Sequence, residues 1–305
     1  MRRLYVLFGD PAAHSRSPAI HARAFELLGI DAVYAPIHVT PGALGAAVEA
    51  MRTLGISGGN VTVPHKENVG KLLDKVDPRA KLIGAVNCVH RHDGSGVLTG
   101  YNTDVAGVLN ALRAAGVQLQ GAHTVILGAG GSARAAAVAL APMSGRVTIL
   151  NRTESRAKDV AVILRDADCL ADVGPLQGPE AKRVLSRADL VVNCTTVGMG
   201  AAEAPIDAVW LPREATVLDL VYAGAPGAAP ADTTLLTAAR ARGNKAIDGL
   251  SVLVEQAVAS LEIWLGRQRL GEVKLAAAPN GLAFELRAAA LAARVEIAGP
   301  SQDAP

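Results

Sequence analysis

A lysine delivered by a turn to a helix end can move a proton at a hydroxyl or a ketone, and one lysine of this chain follows such a turn. In Asn60-Val61-Thr62-Val63-Pro64-His65-Lys66 a strand over 60–63 ends in a proline turn and delivers Lys66 to the first turn of a helix. The positive end of a helix is a poor place for a cation, so an amine there is a candidate for proton exchange. Read alone, Lys66 is equally an ordinary solvated side chain. Asn87 ends the run Ile83-Gly84-Ala85-Val86-Asn87, and Gly100-Tyr101-Asn102-Thr103-Asp104 precedes a helix with Val108 and Leu112 on its apolar side. Each of Asn102, Thr103 and Asp104 reads as a helix cap, while a carboxylate beside Lys66 would hold the ammonium and favour its charged form. In Ser15-Arg16-Ser17 an extended segment would point both hydroxyls toward one ligand, although Ser17 by itself reads as the cap of the next helix. His14, His21 and His65 have no metal-ligand spacing, and no metal site is expected.

A second group of residues suits a nucleotide. Gly128-Ala129-Gly130-Gly131-Ser132-Ala133 follows a strand and opens a helix, which is the context that gives G-x-G-x-x-A its meaning. Gly128 allows the tight turn, Gly130 the approach of a pyrophosphate, and Ala133 close helix packing, with the helix N-terminus facing the anion. The next strand ends in Asn151-Arg152-Thr153, where an NAD site would place an acid. Arg152 and Arg156 instead offer guanidinium forks to a 2'-phosphate, and Thr153 a hydroxyl, which favours NADP. Glu154 is near enough to keep NAD open, and both arginines also read as solvated side chains.

These groups need elements to position them. Short β-branched runs at 4–8, 32–39, 60–63, 86–91 and 97–101 alternate with helices opening at Ser17-Pro18, Thr40-Pro41, after Pro64 and at Asp77-Pro78. A second series has strands at 124–127, 147–150, 190–194 and 216–220, helices at 132–140 and from Thr153, and loops at 174–179 and 223–230. The alternation predicts α/β layers on a largely parallel sheet, and the second series a βαβ unit of mononucleotide-binding size. Beyond Gly249, the spacing of Leu250, Leu253, Val254, Ala257, Val258, Leu261 and Leu265 predicts a long amphipathic helix. A further helix over 281–295 precedes a tail at 299–305 expected to be disordered.

Composition narrows the function class. With 305 residues, 50% hydrophobic, and a net charge of +2 from 30 Lys+Arg against 28 Asp+Glu, the chain fills real cores and lacks the electrostatic footprint of a nucleic-acid partner. No apolar run is long enough to span a bilayer, and the apolar run at 4–8 is too short for a signal peptide, so a cytoplasmic protein is expected. Cys88, Cys169 and Cys194 show neither disulfide nor zinc spacing and read as small buried hydrophobes.

Taken in order, these segments resemble the shikimate dehydrogenase family up to about Gly266. They are Gly9-Asp10-Pro11 with Ser15-Arg16-Ser17-Pro18, 60–66, Gly84 to Asn87, Asn102-Thr103-Asp104, Gly128 to Gly131, Asn151-Arg152-Thr153 with Arg156, and Asp248-Gly249-Leu250 with Gln256. The resemblance implies NADPH-dependent reduction of 3-dehydroshikimate to shikimate in aromatic amino-acid biosynthesis, by a monomer or a homodimer. It implies that Ser15 and Ser17 bind the substrate carboxylate and that Lys66 and Asp104 meet the reacting oxygen. Further ring contacts fall on Thr62, Asn87, Gln256 and Tyr222, the last a tyrosine after the sixth strand of the nucleotide-binding domain. Cofactor contacts fall on Gly128, Ala129, Gly130, Gly131 and Ser132, on Asn151, Arg152, Thr153 and Arg156, and on Leu220 and Gly249 near the nicotinamide. The implied architecture is a substrate domain, 1–104, a Rossmann-like doubly wound domain, 105–248, and C-terminal helices over 249–298 that return to the first domain. The stretch at 223–230 is longer and looser than the family's Asn-Pro and Thr-Pro-Leu pattern, and the segment after about residue 272 lies outside the resemblance. The alternatives are a quinate/shikimate dehydrogenase using NAD and a non-catalytic sensor of the same metabolites.

Overall fold

Short β-branched runs become strands and Ala/Leu-rich stretches become helices in the computed structural model, which describes residues 2–199, 202–222, 231–266 and 281–293. The strands form two six-stranded sheets. The first joins β1 (Arg3–Gly9), β2 (Ala32–His38), β3 (Gly58–Val61), β4 (Lys75–Val76), β5 (Cys88–Arg91) and β6 (Leu98–Tyr101) in the order β2-β1-β3-β5-β6-β4. Strand β1 runs parallel to β2 and β3, but β5 runs antiparallel to both β3 and β6. Because β6 then runs with β3, and β4 is parallel to β6, the sheet is largely parallel as expected, with β5 its one reversed strand. The connection at 92–97 is too short for a crossover, so β5 and β6 form a hairpin.

The second sheet contains β7 (Ala122–Leu127), β8 (Ser144–Asn151), β9 (Ala171–Pro175), β10 (Leu190–Asn193), β11 (Thr216–Asp219) and β12 (Lys245–Ile247). Its order, β12-β11-β10-β7-β8-β9, is parallel throughout and doubly wound, and the order reverses beside β7. Helices cover both faces, so Val125, Ile126, Leu127, Val191 and Val192 are buried on successive positions rather than alternate ones. The stretch expected as a loop at 174–179 begins inside β9. Gly174 and Pro175 are tolerated because β9 is an edge strand.

The helices are α1 (Ser17–Leu27), α2 (Leu44–Thr53), α3 (Pro78–Ile83), α4 (Asp104–Ala114), α5 (Gly131–Leu140), α6 (Glu154–Asp166), α7 (Pro179–Leu185), α8 (Thr234–Ala241), α9 (Gly249–Leu265) and α10 (Leu282–Ala292). No α-helix follows Pro64: tight turns lead to a 3₁₀ segment, Val69–Leu72, because the chain must reach β4 within a few residues. Helix α9 leaves the end of β12 and buries Leu250, Val254, Ala257, Leu261 and Trp264 against Tyr5, Leu7, Ile20 and Phe25 of the first sheet and α1. Leu282, Leu286 and Ala290 of α10 close the same core. Helix α4 lies between α9 and α5, linking the two halves of the molecule.

Helix α10 stops at Ala292, short of the expected 295, and the stretches 223–230 and 299–305 lie outside the described residues. Among the described residues no helix is long and apolar enough to cross a membrane, and no His, Cys, Asp and Glu cluster could hold a metal. The three thiols are free, and burial pushes that of Cys88 up to about 12.

Candidate active site

The turn after β3 places Lys66 between the sheets, where its Nζ donates to Asp104 Oδ2 at 2.6 Å and to Ser132 Oγ at 3.2 Å. The Lys66 and Asp104 side chains are only 14% and 10% exposed, so the ion pair is largely desolvated. Such a pair is weak evidence for stability and better evidence for a site. The lysine was expected in the first turn of its own helix. It instead meets the N-terminal turn of α5, on the other side of the cleft.

Behind this pair lies a buried polar network. Asp104 Oδ1 accepts from Asn87 Nδ2 at 2.7 Å, and the same nitrogen lies 3.0 Å from Thr103 Oγ1 and 3.1 Å from Gln256 Oε1. Two amide protons face three acceptors there, and the Thr103 hydroxyl can also donate to Gln256 Oε1, 3.3 Å away. Asn87 Oδ1 accepts from the Thr103 backbone N–H at 2.7 Å. Ser260 Oγ links Thr103 Oγ1, 3.1 Å away, to Asn60 Nδ2, 3.0 Å away, and Asn60 Oδ1 accepts from Tyr34 Oη at 2.9 Å.

These bonds replace the expected caps. Thr103 occupies the N-cap position of α4 without a side-chain capping bond, because Asn87 and Asn102 satisfy the Thr103 and Asp104 N–H groups instead. Ser17 does not cap α1 either: Arg16 is at the N-cap with helical φ −89° and ψ −4°, so the segment is not extended as expected. Its hydroxyls are divided between two phenols. Burial pushes the Tyr34 phenol up, with a Ser17 hydrogen bond opposing it, and pushes the Tyr222 phenol up, with Ser15 and the Arg16 main chain opposing. Tyr222 follows β11, the fifth strand of the second sheet in chain order rather than the sixth. Thr62 sits at the end of β3, with its main chain tied to Phe8 and His65 and its methyl where a Gly9 side chain would be.

The second sheet contributes mainly backbone. Gly128 has φ +100°, and a Cβ there would press on the Cys194 main chain at 3.2 Å, so the turn requires glycine. Ala129 is buried in that turn, and Ala133, within α5, is fully buried. A Cβ at Gly130 would meet nothing within 4 Å, and α5, which Gly131 opens, has neither a side-chain cap nor an acid in its first turn. Its N–H groups are thus offered to an anion, which fits a dinucleotide pyrophosphate. Gly249 packs so closely on the Leu220 carbonyl that any side chain would collide with it, which brings together the two residues expected at the nicotinamide.

A cavity of about 400 Å³ opens at the ends of β8 and β9, lined by Asn151, Arg152, Glu154, Val173, Gly174 and Glu180 among others. Asn151 Nδ2 donates to Thr153 O at 2.8 Å, which shapes the turn, and Glu154 is held by Lys158 at 2.8 Å. Arg152 is exposed on this rim. Arg156 is not brought to the cavity: its Nη2 donates to Glu67 Oε1 at 2.7 Å, beside Lys66. Residue types alone missed Glu67, Ser260, Tyr34 and the part played by Asn60. Ser260 had a findable signal, since it lies four residues after Gln256 and so on the same face of α9.

Residues 7–89 match the family described as shikimate dehydrogenase substrate binding domain, and residues 110–202 the family described as shikimate / quinate 5-dehydrogenase. A curated relative, shikimate dehydrogenase (NADP(+)) of Symbiobacterium thermophilum, is 42% identical over 273 residues, covering 87% of this chain and 90% of its own. The solved shikimate 5-dehydrogenase of Thermus thermophilus, in complex with NADP(H) and shikimate, is 35% identical, with a TM-score of 0.78 over 94% of this chain and 99% of that one. Quinate dehydrogenase from Corynebacterium glutamicum, in complex with NAD, is 31% identical, with a TM-score of 0.76 over 90% and 99%.

Proposed function

The chain belongs to the shikimate dehydrogenase family, and from that premise we propose that it interconverts shikimate and 3-dehydroshikimate with NADP in the cytoplasm, as a step of aromatic amino-acid biosynthesis. The observation that carries the reading is the 2.6 Å Lys66–Asp104 pair, whose lysine also reaches Ser132 at the nucleotide-binding turn. Proton transfer and hydride transfer must occur on one small ring, and this contact brings the two kinds of group together.

When bound, the nicotinamide gives or takes the hydride. In the oxidation direction neutral Lys66 receives the proton of the reacting hydroxyl, and in the reduction direction its ammonium returns that proton to the carbonyl oxygen. Asp104 holds the Lys66 amine in place, and Asn87 fixes the carboxylate from behind. Ser15 and Ser17 take the substrate carboxylate, with Tyr222 closing over Ser15, while Thr62, Asn87 and Gln256 take the remaining ring hydroxyls. The Gly128 to Ser132 turn receives the pyrophosphate, Leu220 and Gly249 flank the nicotinamide, and Asn151, Arg152 and Thr153 receive the adenosine end. The absence of an acid at the end of β8, with Arg152 on the rim of the cavity, supports NADP over NAD. In this reading 1–104 and 249–298 form the substrate domain and 105–248 the nucleotide domain.

The test is to mix purified protein with shikimate or quinate and NADP or NAD, and to follow reduced nicotinamide by absorbance. Reduction of NADP with shikimate is expected. A preference for quinate with NAD would move the enzyme to catabolism, and binding without turnover would make it a sensor.

A further inference from the structure

Between the two serines assigned above to the substrate carboxylate stands an arginine that the reading does not use. Arg16 is 4% exposed, and its Nη1 donates to the Ala290 and Ala293 carbonyls at 2.9 Å each. Those carbonyls end α10, where a helix leaves C=O groups without internal partners and carries partial negative charge. Two more arginines tie down the same helix. Arg287 grips Asp248 with Nη1 on Oδ1 at 3.0 Å and Nη2 on Oδ2 at 2.6 Å, and Arg23 of α1 reaches Glu285 at 3.3 Å. Asp248 is the N-cap of α9, the helix that carries Gln256. Helix α10 thus spans from the hydroxyl pair at the start of α1 to the start of α9.

We propose that Arg16 is a positioning residue for carboxylate recognition: docked on the C-terminal end of α10, its guanidinium sets the main chain that presents the Ser15 and Ser17 hydroxyls. The proposal rests on the assignment of those serines to the substrate. The geometry gives it a mechanism. Ser15, Arg16 and Ser17 form a single tight turn, in which Ser17 N donates to Ser15 Oγ at 3.1 Å and Ile20 N to Arg16 O at 3.2 Å. A side chain bonded to a separate helix fixes the rotation of that turn, and with it the directions of the two neighbouring hydroxyls. A buried guanidinium is costly to desolvate, so its seat on two helix-end carbonyls holds it to a single position. This also gives α10, in the segment for which the resemblance supplied no role, a function in the substrate site.

The experiment uses the full chain with Arg16→Ala and Arg16→Lys, saturating NADP, and two substrates, shikimate and its methyl ester, which lacks the anionic group. In Arg16→Ala the KM for shikimate is expected to rise about tenfold or more, with kcat and the KM for NADP changed by less than about threefold. The KM for the ester should rise much less, so the preference for acid over ester shrinks. Arg16→Lys keeps charge and stem without the planar fork and should recover part of that preference. An unchanged acid-to-ester ratio in both variants, whatever happens to the melting temperature, overturns the proposal by making Arg16 merely structural. If Arg16→Ala does not fold, the ratio in Arg16→Lys decides. Wild-type protein inactive on shikimate would refute the proposed function itself, which separates the two failures.

Discussion

On the side of the first sheet, Lys66, Asp104, Asn87, Thr103, Gln256, Ser260 and Asn60 satisfy one another through side chains supplied by β3 and its turn, the residue before β5, the start of α4 and the middle of α9. Across the cleft, the stretch Gly128 to Ser132 presents mostly main chain, and Arg152 stands exposed on the rim of its cavity. The first arrangement resembles a small core made of polar atoms: each group has lost water and depends on its neighbours, so a change at one is felt by the rest. The second is a surface shaped by a local turn, where most side chains can change without disturbing the fold. Chemistry that needs a proton in one place suits the former, and recognition of a large charged cofactor suits the latter.

The largest effect should come from the network. Lys66→Ala is expected to lower the rate of turnover by about 10²–10⁴-fold, with shikimate affinity in equilibrium binding nearly kept. If affinity falls while single-turnover hydride transfer keeps its rate, Lys66 is a binding group and the contrast with the nucleotide side weakens. Next in size, Arg152→Ala should weaken NADP binding by about 10–100-fold, the loss of a charged hydrogen bond, while NAD binding and the melting temperature stay put. Calorimetric titration of both cofactors checks this, and equal losses for NADP and NAD would show that Arg152 does not read the 2'-phosphate.

The smallest effect on activity, though a visible one on stability, concerns His21. It is buried among Tyr34, Phe25 and Trp264, and desolvation pushes its imidazole down to about 3. The unfolded chain takes up a proton below about 6.5 while the folded protein keeps this ring neutral, so stability falls as pH drops from about 6.5 toward 3. His21→Phe should flatten the melting temperature against pH across that window, with little change near neutrality in turnover. An unchanged slope would mean that the acid sensitivity lies elsewhere, with groups other than His21.

How far the sequence reached differs between the same two regions. The nucleotide turn was legible because its meaning is local: Gly128, Gly130 and Ala133 lie within six residues, and backbone sterics act at that range. Lys66, Asn87 and Asp104 were legible as candidates by type, but their junction was not, and neither was the contribution of Tyr34 or Ser260. Asn87 and Gln256 are 169 residues apart, and no spacing rule connects them. The helix expected after Pro64 and the cap expected at Ser17 went wrong for a related reason, and of the three cap candidates at 102–104 it is Asn102 that receives a helix-start N–H. A local propensity was outbid by a distant partner, such as the Asn87 amide that receives the Thr103 N–H. Gly174 and Pro175 suggested a loop because composition does not reveal that a strand sits at a sheet edge.

From the order of residues alone follow the alternation of strands and helices, the glycine turn with its open helix end, the lack of an acid at the very end of β8, and the residue types able to move a proton. Those are properties of neighbours along the chain, set by backbone sterics, periodicity and side-chain chemistry. Only the tertiary structure decided that Lys66 meets the end of α5 rather than a helix of its own, that Arg156 pairs with Glu67, and that Arg16 is seated on α10. Each of those depends on desolvated polar groups finding partners far away in the chain, and the packing of α9 and α10 against the first sheet determines which partners come within reach.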